Sequence, residues 1–131
     1  MTFSRIILFI AASSFLSACS DNAPPPSQSK SAQTAEGELI PRSMQEKANY
    51  FLISVEPDEG FLRTLHSRVS TMSHGYSITR IDCENRRYQD LGYGEDEQSN
   101  IKMYDKVQWT DLVTGSSKYD LVTFVCARSK K

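Results

Sequence analysis

Charge of one sign is scarce in this chain. Its 15 Lys and Arg stand against 16 Asp and Glu, a formal net charge of −1. That balance argues against a nucleic-acid partner, whose phosphates call for a concentrated basic face. Long apolar runs are missing too. The longest, residues 6–16, spans about eleven residues, roughly half of what a helix needs to cross a hydrocarbon core ~30 Å thick. No Gly-x-Ser-x-Gly elbow and no His-Glu-x-x-His stretch occurs, which removes two well-marked hydrolase classes. Histidine is limited to His66 and His74, and cysteine to Cys19, Cys83 and Cys126. There is no internal repeat.

What is present begins at the N-terminus. Residues 6–16 follow a single early Arg5 and end in small residues, the layout of a secretory signal. Leu16-Ser17-Ala18-Cys19 closes that stretch and resembles the lipobox of bacterial lipoproteins. The resemblance implies that residues 1–18 are a lipoprotein signal peptide and that Cys19 is lipidated, palmitate included. Ser17 and Ala18 are small enough to enter a peptidase cleft, and Cys19 supplies the thiol. Several acyl chains, at ~0.8 kcal/mol per buried CH₂, anchor far more firmly than one. In these lipoproteins an Asp directly after the cysteine favours the inner membrane. Here Ser20 holds that position and Asp21 follows it, so the family rule implies the outer membrane.

Residues 19–43 are rich in Pro, Ser, Gln and Ala, with Pro24-Pro25-Pro26 in their first half. They read as a lipidated, disordered tether, able to reach ~80 Å when extended. With Cys19 carrying lipid, Cys83 and Cys126 remain as a pair. Export makes a disulfide between them the expectation. It would close a loop of roughly 44 residues, worth ~4 kcal/mol in the chain-entropy model. A small domain needs such support. Two distant cysteines with His66 and His74 form no recognised zinc pattern, so neither metal nor cofactor is expected.

Residues 44–131 read as one α+β domain, a small antiparallel β-sheet packed against a C-terminal helix. Residues 44–47 suggest a helical turn and 50–55 a strand, with a turn at 56–60. Residues 61–72 fit a helix through Leu62, Leu65 and Val69, or equally a strand. Ser73-His74-Gly75 reads as a turn. Residues 76–83 and 86–93 read as a hairpin around Glu84-Asn85, with Ile81 and Cys83 on one face. Residues 95–100 form a charged loop, and 102–107 a further strand leading to Trp109. Ser117-Lys118-Tyr119-Asp120 fits a capping box, with Ser117 as N-cap and Asp120 reaching back. Tyr119, Val122, Val125 and Cys126 then recur at helical spacing, widened by Leu121. Arg128, Lys130 and Lys131 suit the negative end of the helix dipole.

Ile81-Asp82-Cys83, Arg86-Arg87-Tyr88, Trp109, Gly115-Ser116-Ser117 and a helix ending in Cys126 together resemble the surface-adhesin protein E-like domain. The resemblance covers residues 50–126. It implies a small exported, often lipidated protein of the cell envelope whose antiparallel sheet packs on a C-terminal helix. It also implies an adhesin-like outer-membrane role, contact with a host or envelope protein, and possible homodimers.

The residues themselves offer little catalysis. His66 and Ser67 are adjacent, so on a strand they point to opposite faces. Glu95-Asp96-Glu97 lacks the alternating ligands of a calcium loop, and Gly92-Tyr93-Gly94 is too short to cradle phosphate. An enzyme is not expected. Tyr88, Tyr93, Tyr104 and Trp109 are the aromatic candidates in the sheet region. Tyr104, Trp109, Ser117 and Lys118 are the expected partner contacts. The leading expectation is a protein-binding lipoprotein of the outer membrane. The alternative is a periplasm-facing lipoprotein that inhibits a cell-wall hydrolase, through residues 115–119, or supports a secretion or conjugation machine.

Overall fold

Two tight turns set the register of the sheet. Glu59 and Gly60 both take positive φ, 51° and 86°. Two such residues in succession match the right-handed twist of the flanking strands, and they join strand Ala48–Asp58 to strand Phe61–Ser70. At the second turn the carboxylate of Asp82 accepts from the Asn85 main-chain N–H (3.0 Å) and from Asn85 Nδ2 (2.8 Å). Burial works against the charge of Asp82. The two Asn85 donors and the Arg87 guanidinium outweigh it and hold this carboxyl below the ordinary range.

The computed structural model describes residues 36–130. In chain order the elements are β1 (Glu38–Leu39), β2 (Ala48–Asp58), β3 (Phe61–Ser70), β4 (His74–Asp82), β5 (Arg87–Glu95), β6 (Lys102–Met103), β7 (Thr110–Asp111) and α1 (Ser117–Arg128), with a 3₁₀ turn at Gln98–Asn100. All seven strands form one antiparallel sheet in the order β1-β2-β3-β4-β5-β6, and β7 also pairs with β5. Bulges interrupt β2 at Ile53 and β5 at Leu91, bending the sheet as an extra unpaired residue does.

Helix α1 covers one face. Leu121, Val122, Val125 and Cys126 meet Leu52 of β2, Ile81 of β4 and Ile40, and these residues form the buried core. The Cys83–Cys126 disulfide, with Cα atoms 5.5 Å apart, fastens the C-terminal half of α1 to the end of β4. Cys83 packs beside Ile81 on the helix side. The expected sheet, C-terminal helix and disulfide are therefore all present. The balance differs from an even α+β mixture, because among the described residues a single α-helix accompanies seven strands.

Several boundaries also differ. Residues 61–72 are a strand up to Ser70, and the following turn lies at 71–73, so that His74 begins β4. Strand β2 runs on to Asp58, narrowing the expected 56–60 turn to Glu59-Gly60. Residues 102–107 pair only at Lys102–Met103; after the bulge at Leu91 a single further bond, Tyr104 N–H to the Leu91 carbonyl (2.8 Å), ties them to β5. Residues 44–47 form no helical turn. The chain just before them is tied to α1 instead, because Ser43 N–H donates to Asp120 Oδ2 (3.0 Å) and Arg42 pairs with the same carboxylate.

The N-cap of α1 is Ser116, not Ser117: Ser116 Oγ accepts from Tyr119 N–H at 3.1 Å. Asp120 does not reach back to the cap, being bound to Arg42 and Ser43. Folded structure also begins before Met44, since β1 pairs with β2 and Ile40 is 2 % exposed. The end of the expected tether is thus part of the domain. The expected signal peptide, the expected lipidation site Cys19 and the expected tether up to residue 35 lie outside the described residues. Among the described residues, no helix is long and apolar enough to cross a membrane.

Candidate functional site

Three strands converge beneath the first turn of α1. The register sets Thr64 of β3 opposite Thr79 of β4, His66 opposite Ser77, and Thr79 opposite Asp90 of β5. Strand alternation therefore turns these side chains to one face, the face that α1 covers. Lys118, in the first turn of α1, reaches down to them. Its Nζ donates to Thr79 Oγ1 (2.8 Å), pairs with the Asp90 carboxylate and lies 3.5 Å from His66 Nε2. Thr79 Oγ1 donates onward to Asp90 Oδ1 (3.1 Å), and Thr64 Oγ1 donates to the Thr79 carbonyl (3.0 Å).

The protonation of His66 follows from its partners. Nδ1 lies 3.2 Å from the Ser77 carbonyl oxygen, which only accepts, so Nδ1 carries the proton. Nε2 is left as an acceptor facing the ammonium. Burial, and then the charge of Lys118, push the His66 pKa from 6.5 to about 3, so the ring stays neutral. Burial also lowers the pKa of Lys118, a pull that outweighs the support of Asp90. The Lys118 side chain is 19 % exposed and that of Asp90 42 %. The network is thus closed on the lysine side and open to water at the carboxylate. Beside it, between sheet and helix, lies a cavity of about 160 Å³.

The expected contact residues separate into two groups. Tyr104 is 49 % exposed and lies between Met103 (52 %) and Val107 (41 %), in a strip where all of residues 102–108 are exposed. Trp109 ends this strip half-buried. Its ring packs on Phe61 with centroids 4.9 Å apart, and the Arg87 guanidinium sits 4.9 Å from its centroid. Trp109 thus fastens the strip to the sheet end. Ser117 and Lys118 are elsewhere. Both belong to the first turn of α1 and are half-buried, and the Lys118 head group is engaged within the fold.

His66 proves to be part of the network under the helix, with Thr79 and Asp90, which sequence reasoning had not connected. One signal was available. A lysine in the first turn of a helix sits at the positive end of the dipole, so a compensating carboxylate was to be sought in the sheet. His74 is apart from the network, its ring stacked 4.5 Å from that of Tyr76. Ser67 projects to the opposite face from His66, and its buried hydroxyl has no partner. Among the described residues, no group of three or more His, Cys, Asp or Glu is placed to hold a metal ion. No protein-family model, no curated protein and no solved structure matches the chain.

Proposed function

We propose that the chain is an outer-membrane lipoprotein whose domain acts as a protein-binding module, an adhesin-like role. The exposed strip of residues 102–108 carries this reading. It presents Met103, Tyr104 and Val107 to solvent while Trp109 and β6 hold its two ends on the sheet. Exposed aromatic and methionine side chains on a fixed backbone are the features that anchor protein contacts. The lipobox-like Leu16-Ser17-Ala18-Cys19 supports the membrane half of the proposal. The inhibitor alternative has less support, because residues 116–119 are half-buried around the start of α1 and do not form a free loop.

Photo-crosslinking tests the reading in cells that make the full chain. A crosslinker at position 104 should trap a discrete protein, and the pair Met103→Ser and Val107→Ser should cut its yield several-fold. The same crosslinker at Thr123, exposed on α1, should trap nothing. Equal trapping at both positions, or none at 104, would sink the contact reading. Fatty-acid labelling that persists in Cys19→Ser would sink the anchor.

A further inference from the structure

We propose that the cavity between the sheet and the first turn of α1 is a binding site for a small carboxylate with an apolar body. This goes beyond the reading above and does not depend on it. The cavity measures about 160 Å³, close to the ~150 Å³ that accommodates a benzene ring in an apolar protein interior. Its apolar walls are Ile40 and Leu121, and the ring of Tyr93 lines it as well. These suit a flat or branched hydrocarbon body.

The polar lining is one-sided in charge. Lys118 and Arg68 line the cavity and no acidic side chain does. Asp90 partly offsets Lys118, but Arg68 has no ion pair among the described residues. Its one side-chain bond is to Ser73 Oγ at 3.1 Å. Ser77 and Ser117 also line the space, and each brings a hydroxyl able to donate.

The contacts of Lys118 show where a ligand would bind. Two of its ammonium protons go to Asp90 and Thr79. The third faces His66 Nε2 at 3.5 Å, a long contact to a neutral acceptor. A carboxylate oxygen in the cavity would replace that weak contact by a charge-assisted bond, shorter and roughly twice as strong as a neutral one. The fork of Arg68 suits the same planar group. A neutral ligand of the same shape gains neither interaction.

Benzoate and its uncharged counterpart benzamide are the probes, titrated into the full-chain protein and followed through backbone amide resonances. For a ligand of this size a dissociation constant of about 1 mM is expected for benzoate. The largest shifts should fall on Ser77, Ser117 and Leu121. Benzamide should bind at least tenfold more weakly. Arg68→Gln, a change at an exposed residue, should weaken benzoate about fivefold while leaving the ligand-free melting temperature unchanged. Equal binding of the two probes, shifts centred elsewhere, the same shifts from inorganic phosphate, or unchanged affinity in Arg68→Gln would each overturn the site.

Discussion

His66 gives the molecule a pH dependence that can be worked out from one side chain. Its folded-state pKa of about 3 lies below the ordinary 6.5, so between those values the unfolded chain binds the extra proton. Stability is then fully present above pH 6.5 and declines as pH falls, by about 1.4 kcal/mol per unit. Asp82, whose carboxyl is held low in the fold, adds its own loss only below about pH 4. Urea unfolding at pH 6.5 and 4.5 should therefore differ by roughly 2–3 kcal/mol in the wild type. In His66→Gln most of that difference should vanish; an unchanged slope would mean that the imidazole is protonated in the fold. The sequence showed His66 and Lys118 as isolated residues, 52 positions apart. Only the pairing of β3 with β4, and the docking of α1 across them, makes them neighbours.

At the scale of elements, the start of α1 offers a clean comparison. Ser116 caps the helix and Ser117 does not. Ser116→Ala should cost about 1 kcal/mol, whereas Ser117→Ala should change thermal stability very little. Equal losses would mean that the cap is shared. The two serines are adjacent and chemically identical, and Asp120 imitated the acidic member of a capping box. What separated them was Arg42, far back in the chain, which claims Asp120 for another purpose. Strand β3 was obscured for a related reason. Its buried positions include Thr64, His66 and Ser67, so polar residues occupy sites where alternation would call for apolar ones. The apolar positions Leu62, Leu65 and Val69 were left to imitate a helix. The hairpin of β4 and β5 and the Cys83–Cys126 pairing were legible because turn residues and cysteine count act locally or by arithmetic. The cavity was not legible, because its lining comes from β2, β3, β4, β5, α1 and the segment before Met44.

At the scale of the whole molecule, residues 38–43 lie across the fold as a strap. Glu38 pairs with Arg128 at the C-terminal end of α1, Ile40 is buried between sheet and helix, and Arg42 pairs with Asp120 near the N-terminal end. Ile40→Ala should cost about 2–4 kcal/mol, lowering the melting temperature of a domain this size by roughly 10–20 °C. Glu38→Gln should barely move it, since that pair is exposed to solvent. A loss in Ile40→Ala no larger than in Glu38→Gln would show that the strap is ornamental to stability. The order of these three attachments has a mechanical meaning. Tension applied to the chain ahead of Glu36 reaches the solvent-exposed ion pair first, then the buried isoleucine, and last the carboxylate that also holds the Ser43 amide. The attachments are met in series rather than together, so a brief tug would be taken up at the β1 edge of the sheet and its exposed ion pair before it reaches the buried isoleucine and the carboxylate beyond it.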